Sequence, residues 1–375
     1  MLDFIVPAAG QRTLAPSLHG SSDALAMAEL ALRARPLLVV TESAWHAQRL
    51  LEEIPFYAPQ LKVHLFPDWE TLPYDHFSPH HDLVSERLAT LYQMMHGEFD
   101  VAIVPITSAL YRLTPVEYLA AHTFFFKRGE KLAPEELRRQ LTLAGYTHVT
   151  QVLAPGEYCY RGGLIDLFPM GSALPYRIDL MDDEIESIRS FDVDTQKSIY
   201  KVPEVRLLPA REFPMDEAGQ TAFRRHFREK FEGDPSKSHL YKDVSKGIPS
   251  AGVEYYLPLF FEKTALITDY LPRNTLVCLQ GPIESAITDF WNETRARYDM
   301  LKGDRANPVL PPQELFLAAD EFFGAFKAFA RVQFPTAVTP TLTLPLQEGG
   351  NEKDVPAALI ETSDGKESSF PFKEG

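Results

Sequence analysis

The chain has only two cysteines, Cys159 and Cys278. That excludes a disulfide scaffold and a four-cysteine zinc site. It also lacks a basic surplus: 37 Lys and Arg stand against 52 Asp and Glu, a formal charge of -15. Proteins that grip nucleic acid through its phosphates carry the opposite footprint, so strong DNA binding by this chain alone is not expected. A protein partner with a basic or mixed surface suits it better. No apolar run approaches the roughly 20 residues of a membrane span. The N-terminus has no basic region, apolar stretch and cleavage site of a signal peptide. A cytoplasmic chain with no membrane partner is therefore expected. There is no Gly-x-Ser-x-Gly nucleophile elbow and no internal repeat.

What is present suffices for real cores: 45% of the residues are hydrophobic. Pro36 to Thr41 is a short apolar run, and Thr41 is placed to cap a helix reaching about Ile54. A strand is expected from Lys62 to Phe66, an amphipathic helix from Ser85 to His96 with Leu88, Leu91, Tyr92 and Met95 on one face, and a buried strand from Asp100 to Pro105. Strands and helices alternating in this way predict a parallel sheet with helical crossovers over residues 1–122. The texture then changes. A helix from Glu135 to Leu143 stops at Gly145, and short strands follow at His148 to Leu153, Gly162 to Phe168, Tyr176 to Leu180 and Glu184 to Phe191. Turns are expected at Gly171-Ser172 and Asp182-Asp183. This predicts a small α+β domain over 123–209. In residues 210–338, helices are expected at Glu217 to Phe231, Ile283 to Leu301 and Leu315 to Phe329, and buried strands at Thr264 to Tyr270 and Thr275 to Gln280. Residues 339–375 lack periodicity and are expected to be a flexible linker or tail.

A parallel sheet early in the chain invites a phosphate loop. The nearest candidate is Gly20, Ser21, Ser22 and Asp23, leading into a helix at Ala24 to Leu32. It has the turn and the helix start but no lysine, and Asp23 would set a negative charge where phosphates sit. We read it as a degenerate loop that binds no nucleotide. No cofactor, metal or catalytic residue is expected. His76, His80, His81 and Asp82 crowd a Pro-rich loop without the fixed spacing of a zinc protease, which reads as polar loop surface. The sharper signal is a pair of arginines in the small sheet. Arg161 opens Arg-Gly-Gly-Leu-Ile-Asp-Leu-Phe-Pro. Strand alternation puts Arg177, Asp179 and Met181 on one face and Tyr176, Ile178 and Leu180 on the other. The second face is apolar and should meet the core; the first mixes charge with an apolar contact, as an interface does.

Four stretches also carry a resemblance. They are Asp68 to Asp75, Arg161 to Pro169, Pro175 to Asp192, and Leu207 to Pro214. Together they resemble the N-terminal part of the bacterial transcription-repair coupling factors, over residues 36 to 335, a region that is also similar to UvrB. The resemblance implies an α/β fold: a degenerate RecA- or helicase-like parallel-sheet lobe (1A), an inserted α+β domain (2) and a further α/β part (1B). It implies that domain 2 recruits UvrA, and that the UvrA-binding arginines correspond to Arg161 and Arg177. Met181 stands where the family has an aromatic, and Asp179 and Asp166 are further counterparts. It implies that full-length relatives also engage RNA polymerase, DNA and their own C-terminal domain, and work as ATP-driven translocases. UvrB's phosphate-binding lysine and its damage-probing hairpin have no counterpart here. The alternative reading is a stand-alone nucleotide- or DNA-binding helicase-like lobe.

Overall fold

Continuous apolar runs become strands buried on both faces. The computed structural model describes residues 6–34 and 36–335. Its first half winds β1 (Arg12–Leu14), α1 (Ser22–Arg33), β2 (Leu37–Thr41), α2 (Ala44–Tyr57), β3 (Val63–Leu65), α3 (His81–His96) and β4 (Val101–Pro105). The short helices α4 (Ile106–Ala109) and α5 (Val116–Ala121) then lead out to β5 (Phe124–Lys127). Every residue of β2 and β4 is buried, as strands covered by helices on both faces must be. Their side chains sort by parity. Leu37 and Val39 join Leu30, Leu50 and Ile54 of α1 and α2 in one core layer. Leu38 and Val40 join Leu88 and Leu91 of α3 in the other.

The small domain follows with α6 (Pro134–Leu143), β6 (Thr147–His148), β7 (Glu157–Arg161), β8 (Leu164–Leu167), β9 (Tyr176–Met181), β10 (Glu184–Phe191) and β11 (Ser198–Val202). Its six-stranded sheet runs β11-β10-β9-β8-β7-β6, antiparallel except for the β6–β7 pair. The expected turn at Asp182-Asp183 closes the β9–β10 hairpin, with Asp182 at φ 57°. A separate two-stranded ribbon pairs β5 with β12 (Glu204–Leu207) and carries the chain into and out of this domain.

The chain then returns to the first sheet. After α7 (Glu217–Lys230) and α8 (His239–Ser245) come β13 (Leu276–Gln280), α9 (Ile283–Leu301), α10 (Pro312–Leu315), α11 (Ala319–Ala325) and β14 (Ala330–Phe334). The parallel sheet has the order β1-β14-β13-β2-β4-β3, so two strands from beyond residue 270 lie between β1 and β2. The mixed α/β class holds. The expected tail, 339–375, lies outside the described residues.

Several local expectations are corrected. Ser43, not Thr41, caps α2: its side chain accepts the His46 N–H at 3.3 Å, while Thr41 donates to the Ser43 carbonyl. The expected strand at Thr264 to Tyr270 contributes a single bridge, Ala265 to Leu113, before a 3-10 turn at Ile267–Tyr270. The expected helix from Leu315 to Phe329 is broken. Residues 315–317 bond instead to the backbone of Leu110 and Arg112, and the helix restarts at Ala319. The strand expected at His148 to Leu153 stops at His148.

Candidate functional site

The docking candidates lie on one face of the small sheet. Strand register puts Cys159, Asp166, Arg177 and Arg189 in one row across β7, β8, β9 and β10. The next row runs Arg161, Leu164, Asp179 and Ser187. Met181 closes β9 one step further along. The opposite face, with Tyr158, Ile165, Ile178, Ile185 and Ile188, is packed into the main core. The register therefore sets all five candidates, Arg161, Asp166, Arg177, Asp179 and Met181, on the side away from that core, as alternation in the sequence indicated for the last three.

Their accessibility differs. Met181 is 68% exposed, and Leu164 beside it 39%. Arg161 is exposed and pairs with no carboxylate of the described residues: its Nε donates to Cys159 Sγ at 3.3 Å and its Nη2 to the Thr150 carbonyl at 3.1 Å. Arg177 is held differently. Its fork is bidentate to the buried Asp166, at 2.7 and 2.9 Å, Nη1 donates to the Gln196 carbonyl at 3.3 Å, and the guanidinium lies 4.9 Å over Phe191. The Asp166 bond raises its pKa above the ordinary arginine value. Asp179 is taken by Arg189 at 2.5 Å and by Ser187. Asp166 therefore occupies the Arg177 fork, and the open end of the face is Arg161, Leu164 and Met181.

The phosphate-loop candidate sits where a parallel sheet would place a nucleotide, at the carboxyl ends of β2 and β13. Gly20 turns at φ 58° and α1 starts at Ser22. The cavity there is about 340 Å³ and is lined by Ser21, Asp23, Glu42, Arg49 and Glu53 among others. The Asp23 carboxylate accepts its neighbour's N–H, from Ala24, at 2.8 Å and pairs with Arg49 at 2.5 Å. Arg49 also meets Glu53 at 2.6 Å. A carboxylate of the chain therefore stands at the helix N-terminus, where a phosphate would otherwise gain from the amides. The loop histidines do not converge: among the described residues no three His, Cys, Asp or Glu side chains gather as a metal site. His80 instead caps α3 and pairs with Asp82 at 3.3 Å.

One buried and one half-buried group carried no signal in the sequence. Arg87 of α3 is fully buried against Glu212, with Nε to Oε1 at 2.7 Å and Nη2 to Oε2 at 3.4 Å, a third bond to the Pro67 carbonyl, and Phe66 and Trp69 against its guanidinium. Glu254 lies nearby, its carboxylate bonded to Ser78. Burial pushes its pKa up to about 7, and Glu212 adds to the rise while Arg211 opposes it. The unfolded carboxyl ionises near 4.5. The unfolded chain therefore gives up this proton first, and stability should fall as pH rises from about 4.5 towards 7, by roughly 1–3 kcal/mol, then level off. Chemical unfolding across that range should show the fall in the wild type, and Glu254→Gln should flatten it.

Residues 124–213, which span the whole small sheet and the β5–β12 ribbon, match the family model of the UvrB interaction domain. Over 89% of its length the chain is 44% identical to the transcription-repair-coupling factor of Escherichia coli. It is 40% identical to that of Haemophilus influenzae over 87% of its length, and 29% identical to that of Bacillus subtilis over 71%. The chain is thus similar to part of the transcription-repair-coupling factors and contains a UvrB interaction domain. It spans under a third of the length of these relatives, covering 29%, 30% and 24% of them respectively.

Proposed function

We propose that this chain recruits UvrA through the open face of its small sheet, as the part of a transcription-repair coupling factor that links stalled RNA polymerase to nucleotide excision repair in the cytoplasm. The observation that carries the reading is the match of residues 124–213 to the UvrB interaction domain, the segment that also holds Arg161 and Met181 at an exposed end. In this reading Met181 and Leu164 supply apolar contact and Arg161 a charge-assisted bond to a UvrA carboxylate. Arg177, anchored by Asp166, fixes the position of the strand and offers its remaining N–H groups. Residues 1–122, 123–209 and 210–338 act as the three UvrB-like parts, with the first sheet completed by β13 and β14. If UvrA has one docking surface for this domain and for UvrB, an excess of the chain should displace UvrB from a preformed UvrB–UvrA complex. Size-exclusion chromatography reads this directly; a ternary complex with UvrB retained would contradict the reading.

The chain hydrolyses no ATP in this proposal. Binding energy for phosphates is forfeited twice, through the missing lysine and through Asp23 at the helix N-terminus. ATP with magnesium, at about a hundred times the dissociation constant of a working site, would stabilise the fold by about 2.7 kcal/mol. The expected outcome is an unfolding midpoint unchanged by millimolar ATP and magnesium.

A further inference from the structure

A second cavity, about 310 Å³, opens where four stretches of chain meet: the loop before α3, the end of α6 with the start of β7, residues 210–213, and residues 249–254. Trp69, Ser78 and His81 line one side, Gly145 and Gly156 another, and Arg211 and Glu254 a third. Its charged groups are unequally committed. Glu212 is spent on Arg87. Glu254 is bonded to Ser78. Arg211 donates no side-chain hydrogen bond and joins no ion pair with any described residue; only its carbonyl is engaged, by the Tyr118 hydroxyl at 3.5 Å. Burial lowers its pKa from the usual arginine value, and the charge of Glu254 acts on it through space.

The backbone makes room for this guanidinium. Gly145 ends α6 at φ 89°, and a Cβ there would lie 2.9 Å from Arg211 Nη1 and 3.2 Å from its Cγ. Gly145 thus serves both a left-handed helix end and the arginine laid across it. A half-buried cation without a partner is costly to keep, and a pocket of about this size with a few convergent polar groups is the usual form of a small-ligand site.

We propose that this cavity binds a small oxyanion, a carboxylate or a phosphate, with Arg211 as its charge partner. The guanidinium offers a planar fork of donors matched to either group. The protonated form of Glu254 can donate to a further oxygen while Ser78 holds its other carboxyl oxygen. The inference stands apart from UvrA recruitment, because Arg161 and Met181 lie on the far face of the small sheet and line no part of the cavity.

The test titrates the chain calorimetrically with inorganic phosphate and, separately, with succinate. A saturable signal from one or both is expected, and which anion saturates identifies the source. Arg211→Gln should weaken binding at least about tenfold, and Arg211→Lys, which keeps the charge, clearly less. No saturable signal from either anion, or undiminished binding by folded Arg211→Gln, would overturn the proposal. Should Arg211→Gln fail to fold, the wild type decides. Phosphate or succinate should protect Arg211 from modification by phenylglyoxal, read by peptide mass spectrometry, and leave Arg161 reactive. Equal modification of Arg211 with and without both anions would sink the idea.

Discussion

Arg87→Ala should lower the unfolding free energy by about 3–5 kcal/mol, the range for breaking a buried pair by removing one partner. Glu212, 2% exposed in the intact pair, would be left with its charge uncompensated, and the Pro67 carbonyl would lose its donor. The removed side chain also fills the space between Phe66 and Trp69, so a cavity adds to the electrostatic loss. Because α3 belongs to the parallel-sheet lobe and Glu212 follows the small domain, the pair joins segments 125 residues apart. Arg87→Met with Glu212→Gln removes both charges and should recover much of the loss, since a buried ion pair often does little better than neutral groups of similar volume. Denaturant unfolding of the two variants separates these outcomes: equal destabilisation would mean that packing rather than charge sets the cost.

The second large effect concerns Arg177. Truncation to alanine leaves Asp166 buried without its fork, so Arg177→Ala should lose about 2–4 kcal/mol of stability. Arg161→Ala removes an exposed side chain with no carboxylate partner among the described residues and should shift stability by only about 0.5 kcal/mol or less. Binding to UvrA should order the variants differently. If the open end of the face carries the contact, Arg161→Ala costs about 2–4 kcal/mol, a weakening of roughly 30- to 1000-fold. A loss of binding by Arg177→Ala has two sources, and Arg177→Ala with Asp166→Asn distinguishes them. The added asparagine removes the unpaired buried charge and should return part of the stability while leaving the docking contact absent.

The sequence made the local elements legible and the distant pairings opaque. The runs at β2 and β4, the hairpin at Asp182-Asp183 and the split of β9 into a core face and an outer face follow from periodicity and turn chemistry. Insertion of β13 and β14 between β1 and β2 does not, because periodicity says nothing about which strand a strand will pair with. The break at residues 315–318 has the same origin: helical spacing is overridden by bonds to Leu110 and Arg112, some 200 residues earlier. At the site, alternation placed Arg177 on the correct face but could not show that Asp166 lies opposite it in register and takes its fork. Arg211 lies in the resembling stretch Leu207 to Pro214, but neither periodicity nor spacing marks it as a binding group. It matters because Gly145, far from it in sequence, leaves room beside it.

UvrA recruitment through the open end of the small sheet is tested most directly by titrating purified UvrA against the wild-type chain and against Arg161→Ala, after checking that their unfolding midpoints agree. The account predicts saturable binding by the wild type and a loss of at least about 30-fold in the variant. Equal affinity in the two, with both chains folded, would contradict it.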